Sequence, residues 1–144
     1  MKTENGDITA VARVDDKDWF LEDLVGLVNS GEASFGITLN VGGFLVSGYL
    51  IGRKQYFDSF GNEFASMFKS PEDAESVKSS FAAYGDDTFN QSENGEPVPI
   101  GFLHLKDARF YSTSGNPLPG NRGVWWRGRL SEISGFSLGV FEQP

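Results

Sequence analysis

Between residues 17 and 29 the apolar side chains Phe20, Leu21, Leu24, Val25 and Val28 recur at three- and four-residue intervals. That spacing draws one apolar stripe along an amphipathic helix. Asp15 or Asp16 stands where an N-cap is wanted, Asp18 adds negative charge to the first turn, and Asn29-Ser30-Gly31 supplies the stop. The period then falls to two. In Phe35-Gly36-Ile37-Thr38-Leu39-Asn40-Val41 every second residue is apolar, the mark of a strand with one buried face. Gly42-Gly43 reads as a two-residue hairpin turn, and residues 44–51 return as a second strand. Gly48 and Gly52 predict a bend or bulge that curls the sheet. Residues 54–60 read as a third, shorter strand.

Helical spacing resumes at residues 62–69, through Phe64, Ala65 and Phe68. Ser70-Pro71-Glu72-Asp73 is a strong start signal: a capping serine, proline at the first helical position, then two carboxylates in the first turn. Ala74, Val77, Phe81 and Tyr84 continue that helix until Gly85 ends it. Residues 86–99 are polar and glycine-rich, and read as a mobile surface loop. The last third is all strand: residues 102–111, then 124–133 and 136–141. A turn-rich link at 112–123 joins the first two, and a tight turn at Ser134-Gly135 joins the last two. In the final strand Phe136, Leu138 and Val140 face one way.

These elements predict one α+β domain over 1–144. It divides into a flexible N-terminus (1–14), a helix plus hairpin (15–61), a helical insertion with an acidic loop (62–101) and the C-terminal strands (102–144). Short, bent strands opened by a helix suggest a small, strongly bent antiparallel β-barrel or curled sheet of the SH3-like or Sm-like kind. An open antiparallel sheet with helices on one face is the alternative.

Composition removes several chemistries. There is no cysteine, so disulfides, thiolate metal sites and cysteine nucleophiles are excluded, and one histidine excludes a multi-histidine site within a subunit. The net charge of −8 disfavours nucleic acid and anionic lipid as partners of the whole molecule. It is unevenly spread: residues 1–57 carry −3, residues 58–101 carry −7 and residues 102–144 carry +2. Such polarity could support head-to-tail association between copies, although a solvated acidic helix and loop is the plainer account. The uncharged run 33–52 alternates and is rich in small polar residues, so a strand pair explains it better than a membrane span. Residues 1–13 hold no apolar core of a secretory signal, and the expected location is cytoplasmic.

No catalytic constellation stands out. On a strand, His104 and Lys106 share one face while Asp107 falls on the other, which makes a local His–Asp pair geometrically poor. Residues 115–123 have phosphate-loop-like glycines but lack the lysine and the Ser/Thr, and they precede a strand. Asp15-Asp16-Lys17-Asp18 lacks the glycine and closing glutamate of a calcium loop. No cofactor or metal is expected. The most informative segment is Trp125-Trp126-Arg127-Gly128-Arg129. Strand alternation sends Val124, Trp126 and Leu130 to one face, and Trp125, Arg127 and Arg129 to the other. Aromatic–arginine surfaces serve protein interfaces and single-stranded nucleic acid alike. The plainer alternative packs Trp125 under the helical insertion and pairs both arginines with its carboxylates. Trp125, Arg127 and Arg129, with Phe44 and Tyr49 of the second strand, are the candidate interaction residues.

Three blocks, FGITLNVGGFLVSGYLIGRKQYFD, FLHLKDARFYS and WWRGRLSEISGFSLG, together resemble the gas vesicle accessory protein U (GvpU) family. The last block is the most specific, holding Trp126, Arg127, Gly128, Glu132, Gly135, Phe136, Leu138 and Gly139 in register. The resemblance implies a non-enzymatic protein associated with gas vesicles, hollow gas-filled protein shells, that promotes vesicle clustering or assembly. Its implied partners are gas vesicle shell proteins and further copies of itself as a homo-oligomer, without a membrane. Two competing readings remain: an Sm-like small-barrel RNA-binding protein, and an enzyme using His104.

Overall fold

A computed structural model describes residues 17–141 apart from positions 32, 97, 119 and 121. The expected flexible N-terminus, with Asp15 and Asp16, lies outside the described residues; the N-cap expected at one of those two is instead Asp18, expected in the first turn. The chain folds as α1 (Trp19–Asn29), β1 (Phe35–Val41), β2 (Phe44–Ile51), α2 (Arg53–Ala65), α3 (Pro71–Ala83), β3 (Phe102–Tyr111), β4 (Val124–Arg129), a 3-10 turn (Leu130–Glu132) and β5 (Ile133–Leu138). The strands make one antiparallel sheet in the order β4-β3-β2-β1-β5, which is not closed.

α1 starts at Asp18, whose carboxylate accepts from the backbone N–H groups of Phe20 and Leu21. That satisfies donors the first turn cannot pair internally. Leu21, Val25 and Val28 are buried, whereas Phe20 is half exposed and meets Phe136 with its ring tilted, 5.8 Å between centroids. The stripe therefore centres one residue further round than Phe20 suggests. It packs against Ile37, Leu39, Val46, Leu50, Leu103, Leu105, Ala108, Leu130 and Ile133 to form the core on the inner face of the sheet.

Gly42 and Gly43 turn the hairpin at φ 56° and 88°, values a β-carbon would resist, and Val41 pairs with Phe44 across them. The break in register against β3 falls between Ser47 and Tyr49, at Gly48 as the sequence predicts. Its counterpart in β3 is Asp107, at φ 53°, where the pairing with β4 also slips between Leu105 and Ala108. This bulge puts Leu103, Leu105 and Ala108 all inside and leaves Asp107 exposed. Gly52 has another task. It is the N-cap of α2, and a β-carbon there would lie 2.5 Å from the Val28 carbonyl oxygen.

Two expectations fail. Residues 54–60 are not a strand but the first half of α2, and the helix expected at 62–69 is its end. Tyr56, Phe57, Phe60, Phe64 and Ala65 follow helical spacing; the aromatic residues imitate strand propensity, and Gly61 interrupts the pattern in sequence. Nor does a tight turn lie at Ser134-Gly135. Both sit within β5 at a slip in its pairing with β1, and the 3-10 turn Leu130–Glu132 is the real break. Of the expected face, Phe136 packs on the core, but Leu138 is 76% exposed and Val140 lies beyond the strand. α3 behaves as predicted, with Ser70 accepting from the Asp73 N–H and Pro71 in its first turn.

β4 and β5 are consecutive yet occupy opposite edges of the sheet. In a flat sheet four strand spacings would separate them by about 19 Å. The four peptide units from Arg129 to Ile133 span at most about 14 Å. The sheet is therefore strongly curled, which brings its two edges toward each other.

Candidate aromatic–arginine face

The outer face of the sheet carries the side chains that alternate away from the core. On β3 these are Phe102 and His104; opposite them on β4 stand Arg129 and Arg127. α2 lies across this face because its aromatic residues need cover. The Tyr56 ring stacks on His104 at 4.4 Å between centroids and Phe57 meets it edgewise at 5.6 Å. α3 covers the far side of α2, where Phe81 packs edgewise on Phe60 and Phe64 at 5.3 Å each. The helical insertion is thus fastened to the sheet through a run of rings.

The arginines are held by rings as well. The Arg127 guanidinium sits 3.8 Å from the Phe102 centroid and 5.6 Å from that of Phe57, and Arg129 is 5.1 Å from Phe102. Cation–π contact of this kind stabilises by roughly 0.5–2 kcal/mol, more as water is excluded. Among the described residues neither arginine forms an ion pair with a carboxylate of the insertion. Desolvation under the rings lowers the Arg127 pKa, and neighbouring Arg129 pushes it the same way against the pull of Tyr56. Burial raises the Tyr56 hydroxyl pKa, partly offset by Arg127.

Trp125 lies one position off this row, 37% exposed. It walls a groove of about 360 Å³ with Phe60, Phe64 and Met67 of α2 and its following turn. Met67, at 72% exposure, and Phe64 give the open groove apolar lining, and Glu63 and Arg122 line it as well. The structure brings Trp125, Arg127 and Arg129 together with α2 but leaves Phe44 and Tyr49 apart. Phe44, 48% exposed, stands at the hairpin tip with the inner-face parity of β2. Tyr49 is on the outer face, separated from β4 by β3, and lines a shallow cavity with Asp107 and Arg109. Tyr56, Phe57, Arg53 and Phe102 belong to the face but went unread in the sequence. The helical spacing of Tyr56, Phe57, Phe60 and Phe64 was the available signal.

His104 is 4% exposed, and its Nε2 has no hydrogen-bond partner among the described residues. Desolvation, helped by the charges of Arg127 and Arg53, pulls its pKa from 6.5 to about 3. It is a neutral ring at physiological pH. Among the described residues no group of three His, Asp or Glu side chains converges as a metal site would require. No helix among them is long and apolar enough to cross a membrane.

Residues 18–141 match the model of one protein family, described as gas vesicle protein GvpU-like. The chain belongs to the GvpU-like family. The matched range includes the helical insertion and acidic loop as well as the strand blocks. No curated protein and no solved structure matches the chain. GvpU-like membership makes this a gas vesicle-related protein.

Proposed function

We propose that this GvpU-like protein is a non-enzymatic, cytoplasmic accessory protein that binds gas vesicle shell proteins and further copies of itself, promoting vesicle clustering or assembly. The groove beside Trp125 carries the proposal. It is open, combines apolar side chains with Glu63 and Arg122, and lies at the start of β4, an edge strand whose outer side pairs with nothing in the sheet. An exposed edge flanked by Trp and Arg is the composition that makes interface anchors. β5 is the other free edge, and Leu138 projects from it. Edge β4 of one copy meeting edge β5 of the next is a head-to-tail contact that propagates instead of closing in pairs. We read the curled sheet as a small SH3-like or Sm-like barrel left open for that pairing. The strand order and the 3-10 link between β4 and β5 support this reading.

Flotation with purified gas vesicles tests the proposal. Wild-type protein is expected to rise with the vesicles, and Trp125→Ala or Met67→Ser to stay in the subnatant while remaining folded. Sedimentation velocity should show assembly growing with concentration and weakening with salt. A strict monomer at millimolar concentration that never floats with vesicles overturns it.

The stacking of Arg127 and Arg129 on Phe102 favours a second reading, an Sm-like RNA-binding barrel. Filter binding with poly(U) at about 50 mM salt, where phosphate attraction is strong, decides it; no retention ends it.

A further inference from the structure

A second concavity lies on the same face, beyond Arg127 from the Trp125 groove. It occupies about 270 Å³ between the end of α1, the start of α2, the loop before β3 (Asn90 and residues 98–101) and the adjoining parts of β3 and β4. Arg53 and Arg127 line it, Phe57 and Phe102 form apolar walls, and no carboxylate appears among its described lining residues. In a chain of net charge −8 this is a local reversal of sign. Two buried polar atoms on its lining residues, Arg53 Nε and His104 Nε2, have no hydrogen-bond partner among the described protein groups. Buried groups are paired in the great majority of cases, and an unpaired one costs about 1–3 kcal/mol. The site is also built from both sides: Asn29, the last residue of α1, accepts the Arg53 backbone N–H at 2.9 Å and so fixes the first turn of α2 beside the cavity. That turn adds the positive end of a thirteen-residue helix.

We propose that this cavity binds a small organic oxyanion, a carboxylate or phosphate monoester carried on a flat apolar body. Arg53 and Arg127 hold the anion through charge-assisted hydrogen bonds. Phe57 and Phe102 flank the body, and neutral His104 completes the polar end. The volume corresponds to about nine waters' worth of liquid, the size of a ligand with a single ring. One terminal nitrogen of Arg53 already meets Asp87 at 3.3 Å. The Asp87 side chain is 85% exposed, so that pair is weak and an incoming anion competes with it. The proposal is independent of vesicle binding and of self-association.

The test titrates the full chain with benzoate, phenyl phosphate, inorganic phosphate and the neutral benzamide. Calorimetry and the imidazole resonances are followed, which are unambiguous because the chain has one histidine. Benzoate or phenyl phosphate is expected to bind saturably at one site and to shift those resonances; whichever binds tighter identifies the class of anion. Benzamide should bind roughly tenfold or more weakly, and Arg53→Gln and Arg127→Gln should each weaken the anion about as much. Asp87→Asn, a fully solvent-facing change, should tighten binding a few-fold and guards against variants that fail to fold. Equal affinity for benzamide overturns the proposal, as does inorganic phosphate binding as well as phenyl phosphate. So does the absence of any saturable shift at about 10 mM ligand, weaker than the millimolar range.

Discussion

His104 offers the sharpest test of how the outer face is built. Its ring lies between Tyr56 and Phe57, and burial together with Arg127 and Arg53 lowers its pKa from 6.5 to about 3. The unfolded chain therefore takes up a proton on this residue near pH 6.5 while the folded chain does not. Where the unfolded state binds more protons, stability rises with pH. The contribution is fully present above pH 6.5 and is lost as pH falls toward 3. At about 1.4 kcal/mol per pKa unit the ceiling of the effect is on the order of 5 kcal/mol. Between pH 8 and pH 5 the loss is about 2 kcal/mol, a large fraction of the roughly 5–15 kcal/mol that a domain possesses. Urea unfolding of wild type and His104→Phe at pH 8, 6.5 and 5 isolates it, because carboxylate effects common to both chains cancel in the difference. Phenylalanine keeps the ring packing and cannot titrate. The wild-type curve should drop by about 2 kcal/mol more than that of the variant. Parallel pH profiles, or an imidazole pKa near 6.5 by NMR in the folded protein, would refute the burial argument.

Other substitutions probe the frame that holds this face. Leu105→Ala, at a wholly buried core position, should cost about 2–5 kcal/mol in urea unfolding, whereas Leu138→Ala on the exposed end of β5 should stay within about 0.5 kcal/mol. Gly52→Ala places a methyl 2.5 Å from the Val28 carbonyl oxygen, and α1 and α2 must part to accept it; a loss of about 1–3 kcal/mol is expected. Asp18→Ala removes the α1 cap and should cost about 1 kcal/mol, measured as a fall in the urea midpoint at unchanged slope.

Local rules made α1, the β1–β2 hairpin, the start of α3 and the strand nature of β3 and β4 readable from the chain. Each depends on a period, a cap or a turn residue contained within a dozen positions. Gly42-Gly43 and Ser70-Pro71 act on their immediate neighbours, so no distant partner is needed to interpret them. The alternation around Trp125, Arg127 and Arg129 likewise separated the two faces of β4. α2 escaped because Tyr56, Phe57 and Phe60 satisfy both a strand and a helix, and the choice is made by what they pack on. Only burial of Tyr56 against His104 and of Phe60 against Phe81 selects the helix.

By itself, then, the sequence determined family membership, the antiparallel strands, the entry helix and a β4 face bearing one tryptophan and two arginines. The tertiary structure decided the chemical surroundings of that face. It set the arginines against the rings of Phe102 and Phe57 instead of the carboxylates of the plainer alternative, stripped His104 of its charge, and set Arg53 beside Arg127 across a cavity. It also sent β5 to the edge opposite β4. These outcomes arise from contacts between residues tens of positions apart, where desolvation and packing outweigh local preference.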